Sequence, residues 1–423
     1  MTDSSKRWDV IVVGGGAAGL MTAASAIRCG RKVLLLEKNN KLGVKILMSG
    51  GTRCNITHAC DSNEIVKAFG KPGKFLHSSL AALPPDEVVA LVESEGVATK
   101  VEPGGKVFPC SDRAIDVRDA LVRLATDPKQ PGSSKLLTGV ACRDIVRDVD
   151  GFNVQAESDV FQASSVVITT GGMSYPGCGT TGDGYGWAQQ MGHALIDPVA
   201  ALTPIVNDQC WSRPLKGITF DNVALKVQPD PDASQSNGFV LDRRSGGFLF
   251  THFGYSGPSV LDISRVVSKH QSPNSLELVC DFAPDKSVER LFQDLLVPLQ
   301  QRAKQTVLNV FSDQLPRRFV EAGLNELGLD TGRKAGEFGK NQINKFIGLV
   351  KGARFPIRNT YGFAKAEVTS GGVDLATVDS RTMQSKLQAG LFFAGEVLDL
   401  DGPIGGYNFQ SAFSTGWLAG QSC

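Results

Sequence analysis

The chain has 423 residues, too many for one hydrophobic core, so two or three domains are expected. Lys and Arg number 44 against 43 Asp and Glu, a formal net charge of +1, so whole-molecule charge points to no partner. No apolar run reaches membrane-spanning length, and the first strand begins by about Asp9 with no room for a signal peptide, so a cytoplasmic location is expected.

In chain order, Val10 to Gly19 reads as a buried strand running into a helix through Gly14-x-Gly16-x-x-Gly19. Gly14 permits the tight turn, Gly16 lets backbone N–H groups approach a pyrophosphate, and Gly19 lets helix pack on strand. The helix Ala17 to Cys29 faces phosphates with its N-terminus and is stopped by Gly30. The next strand, Lys32 to Glu37, ends in an acid placed to accept hydrogen bonds from a ribose. An ADP-containing dinucleotide is the expected ligand. Lys38 to Thr57 follows, a glycine-rich basic loop that is not expected to be core.

A helix is expected over Pro85 to Glu95 and another over Asp112 to Ala125, capped by Ser111, with Ile115, Leu121 and Leu124 facing a core. Asp127 to Ser134 and Pro229 to Gly238 read as loops. Ile145 to Val149 and Phe152 to Ala156, joined by Asp150-Gly151, read as a hairpin. The buried strand Ser165 to Thr169 runs into Gly171-Gly172, and Asp183 starts a helix that Gly192 ends.

From residue 196 the texture changes to strands, Val223 to Val227, Gly247 to Phe250 and Leu276 to Asp281, then to a helical region from Lys286 to Lys351. Its last helix carries Ile343, Phe346, Ile347 and Val350 on one face. Three parts are expected: 1–195, an inserted β-rich and helical module over 196–354, and 355–423 returning to the first fold. Between Arg333 and Arg354 stand Arg333, Lys334, Lys340, Lys345, Lys351 and Arg354 against one acid, Glu337. The run is either a solvated helix face or a nucleic-acid footprint. Nine cysteines with no CxxC pair and no regular spacing argue against a disulfide framework, and no metal site is expected.

The last segment has a buried strand, Leu391 to Ala394, then Gly395-Glu396, and a second glycine-rich helix start through Gly405-Gly406-Tyr407-Asn408, the helix running to about Leu418. Two helix N-termini are thus offered to one ligand. Negative charge that accumulates at N1 and the C2 carbonyl of a reduced flavin suits the second, so FAD fits both ends, with Glu396 on its ribityl chain. The expected class is α/β, a Rossmann-type FAD-binding fold of the two-dinucleotide-binding-domain kind, interrupted by the inserted module.

Ser49-Gly50-Gly51-Thr52-Arg53-Cys54-Asn55, Thr170-Gly171-Gly172-Met173-Ser174-Tyr175-Pro176, Phe250-Thr251-His252-x-Gly254-x-Ser256-Gly257-Pro258, Val368-Thr369-x-Gly371-Gly372-Val373 and Gly395-Glu396 through Gly405-Gly406-Tyr407-Asn408 resemble the BaiN/RdsA-type bacterial flavoproteins, the aminoacetone oxidase-like FAD enzymes. The resemblance covers almost the whole chain. Thr52, His58 and Ile404 depart from it, standing where that family usually has Gly, Asn and a polar residue. It implies FAD held by Gly14, Gly16, Gly19, Glu37, Lys38, Gly50, Gly51, Gly171, Gly172, Gly395, Glu396, Gly405, Gly406, Tyr407 and Asn408, with NAD(P)H as a transient electron donor. The implied activity is reduction of a conjugated C=C, either uridine to dihydrouridine in 23S ribosomal RNA or a small oxo-compound.

Such chemistry needs a proton donor and a group to polarise the carbonyl. Cys54 is expected as donor, with a packing thiol as the alternative; Arg53 or Lys45 is expected to polarise. His252 and Tyr175 are further candidates, against a turn-holding histidine and a core tyrosine. The competing readings are a ribosomal RNA reductase that docks through the basic run, an enzyme of a small enone or amine, and an RNA-binding assembly factor with structural FAD. NADH against NADPH, the nucleotide modified and the oligomeric state are not written in the sequence.

Overall fold

A computed structural model describes residues 7–157, 159–207, 211–231 and 239–423. The chain forms two compact units, residues 1–200 with 367–423, and residues 201–366. The second unit starts and ends later than the change of texture at 196 and 354. Leu195–Ala201 pairs with Val368–Val373 in the first unit, while Ala353–Pro356 and Asn359–Thr360 complete the second unit's sheet.

The first unit is α/β and Rossmann-like. Arg7–Val13 lies parallel between Lys32–Glu37 and Val160–Ile168, and Ser133–Thr138 extends the sheet parallel to Lys32–Glu37. Part of the expected loop Asp127 to Ser134 is therefore strand, its alternating exposure marking an edge. On the other side Val160–Ile168 serves two partners along its length. Its first half pairs antiparallel with Gly151–Ala156 of the expected hairpin, and its second half, Val166–Ile168, pairs parallel with Leu391–Phe393. Val10–Val13 and Val33–Leu36 are buried on both faces, as a covered parallel sheet requires.

Helices Ala17–Arg28 and Tyr407–Ser422 pack on this sheet backbone to backbone. A Cβ on Gly416 would meet Ala18 O at 2.4 Å, and one on Gly420 would meet Thr22 O at 2.4 Å. Both contacts advance by four residues together, so the helices run parallel and their N-termini point the same way.

Several local expectations change. The third expected helix begins at Ala114, not Asp112, and Ser111 is not its cap: Arg113 is, with no side-chain bond, and Asp112 is left-handed at φ 53°. Ile115 is exposed while Val117, Ala120, Leu121 and Leu124 are buried. The loop Lys38 to Thr57 contains a short helix from Val44 that breaks at Ser49–Gly51, and Ile46, Cys54, Ile56 and Thr57 are core. The end of the loop forms a strand, Thr57–His58, in a three-stranded sheet with Lys106–Pro109 and Thr99–Val101.

The second unit is an antiparallel seven-stranded sheet in the order 353–356, 276–281, 219–229, 242–250, 254–256, 205–206, 359–360. Helix Pro258–Ser268 is started by Gly257 at φ 97° and Pro258 in the first turn. The expected helical region resolves into Val288–Gln301, Val307–Phe311, Arg317–Glu326 and Lys340–Gly352. Ile343, Phe346, Ile347 and Val350 are all buried, in a core with Phe248, Phe250, Phe282, Phe311, Phe319 and Phe355. Each such phenylalanine contributes roughly 1.5–3 kcal/mol by leaving water. The loop expected over Pro229 to Gly238 lies mostly outside the described residues. Among the described residues no helix is long and apolar enough to cross a membrane.

Candidate functional site

The first glycine-rich turn is built by three different demands. Gly14 sits at φ 108°, and a Cβ there would lie 2.6 Å from Thr169 O. A Cβ on Gly19 would lie 1.9 Å from Gly14 O, so this position is glycine because helix and strand touch. At Gly16, the N-cap of the first helix, a Cβ would meet nothing within 4 Å. Gly14 and Gly19 serve the protein's own packing, and Gly16 keeps an open cradle in front of a helix N-terminus. Unpaired N–H groups and the positive end of the dipole face that space.

Glu37 is buried and braces the same turn. Its Oε2 accepts the Gly15 N–H at 2.7 Å, and its Oε1 accepts the Asn39 backbone and side-chain N–H groups at 2.8 Å each. A carboxylate has acceptor capacity beyond three bonds, so a ribose hydroxyl is still accommodated. Lys38 donates to Thr181 Oγ1 and Asp183 Oδ2, both at 2.6 Å, which ties the end of the second strand to the start of helix Asp183–Gln190.

The second helix start is assembled by a segment far away in sequence. Gly406, at φ 96°, is the N-cap of Tyr407–Ser422, and a Cβ there would lie 2.5 Å from Thr57 C and O. Thr57 Oγ1 donates to Gln410 Oε1 at 2.6 Å. His58 Nδ1 bonds Gly405 O at 3.1 Å, and its ring stacks on Tyr407 with centroids 4.7 Å apart and planes 19° apart. Since a carbonyl only accepts, Nδ1 carries the hydrogen. Asn408 closes the turn on itself, accepting from Gly402 N at 2.8 Å and donating to Gly402 O at 2.9 Å. Beside this turn, Asn55 Oδ1 is buried with no partner, as are Thr170 Oγ1 and Tyr185 OH elsewhere in the first unit. Ser25 Oγ and Arg28 Nε on the first helix are also without partners, so of these atoms only Asn55 Oδ1, beside the Gly406 turn, bears on the site.

Glu396, Lys45, Ser174 and Thr369 form one knot. Lys45 Nζ donates to Glu396 Oε2 and Ser174 Oγ at 2.6 Å each. Glu396 Oε1 accepts from Ser174 Oγ at 2.6 Å and Thr369 N at 2.9 Å, and Thr369 Oγ1 accepts the N–H groups of Met173 and Ser174. Gly172 closes on it: a Cβ there would sit 2.3 Å from Thr369 Oγ1. This knot joins the Gly50-Gly51, Gly171-Gly172 and Gly395 segments. Thr369, Ser174 and Asp183 are not among the expected site residues, although Thr369 and Ser174 stand in quoted motifs and Asp183 is the expected start of its helix.

The expected chemical residues fare differently. Arg53 is committed to Glu102 at 2.7 Å and Asp112 at 3.3 Å, with its guanidinium 4.0 Å above the Phe108 ring. Cys54 has no accessible surface, and burial pushes its thiol up to about 12, opposed only in part by a hydrogen bond with Ser49. Tyr175 is half-buried at φ 53°, ψ 66°, a left-handed conformation that costs an aromatic residue on the order of 1 kcal/mol or more. Its hydroxyl is raised by burial first and by Glu367 second, so it stays protonated at neutral pH. His252 is exposed in the second unit, edge-on to Phe253.

Of the basic run, Arg333, Lys334, Lys340 and Lys345 are exposed. Lys351 is not free: it pairs with Asp281 at 2.6 Å and donates to two backbone carbonyls. Arg354 is held by Glu277 through two bonds, of 2.9 and 2.5 Å. Both are thus engaged by carboxylates of the strand Leu276–Asp281, Lys351 from the helix and Arg354, itself exposed, from the edge strand.

The class these features define is a Rossmann-like nucleotide-binding unit with an antiparallel-sheet unit inserted in its chain. The chain belongs to the HI0933-like family, whose Rossmann-domain model matches residues 8–422. It is 32% identical, over 98% of each chain, to a ribosomal RNA dihydrouridine synthase of Escherichia coli strain K12. It is 30% identical, over 97% of this chain and 98% of the other, to a 3-dehydro-bile acid delta(4,6)-reductase of Clostridium scindens. Among solved structures, the Mycobacterium smegmatis Sdh1 complex in the apo form matches 98% of this chain and 67% of its own, with 16% identity and a TM-score of 0.50, a likeness of fold.

Proposed function

We propose that the chain is an FAD-dependent reductase of a conjugated C=C bond, acting in the cytoplasm on a uridine of 23S ribosomal RNA, with NAD(P)H as electron source. The observation that carries the reading is the pair of parallel helix starts. Ala18, second in its helix, faces Gly416, tenth in its own. The last helix therefore begins about 12 Å before the first one does along their common direction, at ~1.5 Å per residue. A mononucleotide meets one of these N-termini; an extended dinucleotide meets both.

In this reading the Gly14–Gly19 turn holds the pyrophosphate, Glu37 the ribose, and the start at Gly406–Asn408 the electron-rich edge of the flavin ring. Bound FAD supplies the hydride that reaches the carbon β to the substrate carbonyl. The knot of Lys45, Ser174, Thr369 and Glu396 orients the three glycine segments around the ring. The proton for the α carbon is assigned to Tyr175, which is protonated, partly accessible and adjacent to that knot; Cys54, without accessible surface, packs the turn instead. His252 and the exposed Arg333, Lys334, Lys340 and Lys345 serve RNA approach. The full-length likeness to a named ribosomal RNA dihydrouridine synthase supports the substrate.

The test is mass spectrometry of nucleosides from 23S ribosomal RNA of cells with the chain, without it, and with Tyr175→Phe. Loss of a dihydrouridine on deletion, restored by the wild type and not by Tyr175→Phe, is expected. Unchanged dihydrouridine on deletion would move the activity to a small conjugated ketone, the reading that the equally long likeness to a bile acid reductase favours.

A further inference from the structure

Two loops of the second unit carry an aromatic cluster of which the reading above uses only His252. Phe253 and Tyr361 stand edge to face with centroids 5.0 Å apart and planes 65° apart, and His252 adds a ring 4.8 Å from Phe253. Tyr361 is 39% exposed, although it is a large ring with apolar faces. Lys365 places its ammonium 5.5 Å from the Tyr361 centroid and 5.9 Å from that of Phe253.

The backbone that carries the rings is fixed. Thr251 N bonds Gly254 O, and Phe253 N bonds Thr251 Oγ1, which fixes the turn. Phe253 O accepts from Asn207 N at 3.0 Å and Tyr361 N donates to Pro204 O at 2.8 Å, so both loops hang on the same short strand region, 204–207. Lys365 N is tied to Gly362 O. Loops whose backbone is held this way lose little entropy when a ligand arrives.

We propose that Tyr361, Phe253, His252 and Lys365 form a stacking platform for an unpaired nucleobase of single-stranded RNA, with Lys365 serving the adjoining phosphate. The proposal rests on the RNA reading above and adds the surface that grips a base once it has left its stack. Aromatic faces with a flexible cation beside them match a base and its backbone charge. A small conjugated ketone offers a much smaller π-face than a base and no phosphate for the cation. The exposed Arg333, Lys334, Lys340 and Lys345 give the same unit further positive charge for a polyanion.

The experiment is fluorescence anisotropy of a short uridine-rich single-stranded RNA with the flavin-loaded full chain, at several salt concentrations. Tyr361→Ala is expected to weaken binding about 5- to 100-fold, the range for loss of one stacked base. Tyr361→Trp keeps a π-face and is expected to rescue binding to within about twofold. Lys365→Ala is expected to weaken binding and flatten the salt dependence by about 0.7 in log–log slope, one phosphate's share. Wild-type affinity in Tyr361→Ala, or failure of Trp to rescue, overturns the platform while leaving the RNA reading intact. Failure of the wild type to bind this RNA also overturns it; the dihydrouridine content of 23S RNA then decides separately whether the RNA reading stands.

Discussion

The two glycine-rich helix starts of the first unit look alike in sequence and differ in what holds them: the first includes a contact inside its own turn, and the second is clamped from a distant segment. At Gly14–Gly19 one constraint is local, since Gly19 meets Gly14 O inside the turn, while Gly14 is forced by Thr169 O at the end of the neighbouring strand and Glu37, Leu42 and Gly43 close on Gly15. At Gly405–Asn408 the constraint comes from more than three hundred residues away, through Thr57, His58 and Asn55. The first start is held by its own turn and by the strands beside it in the same sheet. The second start depends on the Lys38 to Thr57 segment being folded around it.

Substitutions sharpen this contrast. Gly19→Val, whose Cβ would lie 1.9 Å from Gly14 O, is expected to prevent folding, seen as insoluble chain or loss of a cooperative thermal transition. Gly406→Ala meets the Thr57 backbone at 2.5 Å and a positive φ, and is expected to cost on the order of 2–4 kcal/mol in urea unfolding. A cost below about 0.5 kcal/mol would show that the second start is not clamped by the distant segment.

Lys45→Met removes the cation from the knot and leaves Glu396 with only hydrogen-bond partners. About 1–3 kcal/mol of lost stability is expected, with flavin held less tightly. The smallest effect concerns His193, buried between Thr377 Oγ1 and Ser385 Oγ, each 2.8 Å from a ring nitrogen, with its pKa lowered by burial. The unfolded chain takes up this proton before the folded chain does. Stability is therefore expected to fall as pH drops below the ordinary histidine value of 6.5, by at most about 1.4 kcal/mol per pH unit from this group. His193→Gln should flatten that part of the curve of urea midpoint against pH.

The same contrast explains what the sequence makes legible. Gly14, Gly16 and Gly19 sit at fixed spacing between a strand and a helix, so turn, cradle and packing contact can each be assigned from one dimension. The knot of Lys45, Ser174, Thr369 and Glu396 draws on four separated segments, and nothing in spacing announces that Glu396 is bonded by all three. Lys351 and Arg354 look like the rest of their basic run until their partners, Asp281 and Glu277, appear on a neighbouring strand. Ile46 and Ile56 escape notice because the surrounding Lys and Gly residues mask a buried stem. His58 is the instructive case: it departs from the family pattern in sequence, and its stack on Tyr407 is visible only in three dimensions.

The most direct test of the account is the flavin content of Gly16→Val beside the wild type, with thermal unfolding of both. A Cβ at Gly16 touches nothing in the protein, so the variant is expected to fold and unfold as the wild-type apoprotein does and to purify colourless, its pyrophosphate cradle filled. A yellow variant with wild-type flavin stoichiometry would contradict the assignment of this helix start to the dinucleotide.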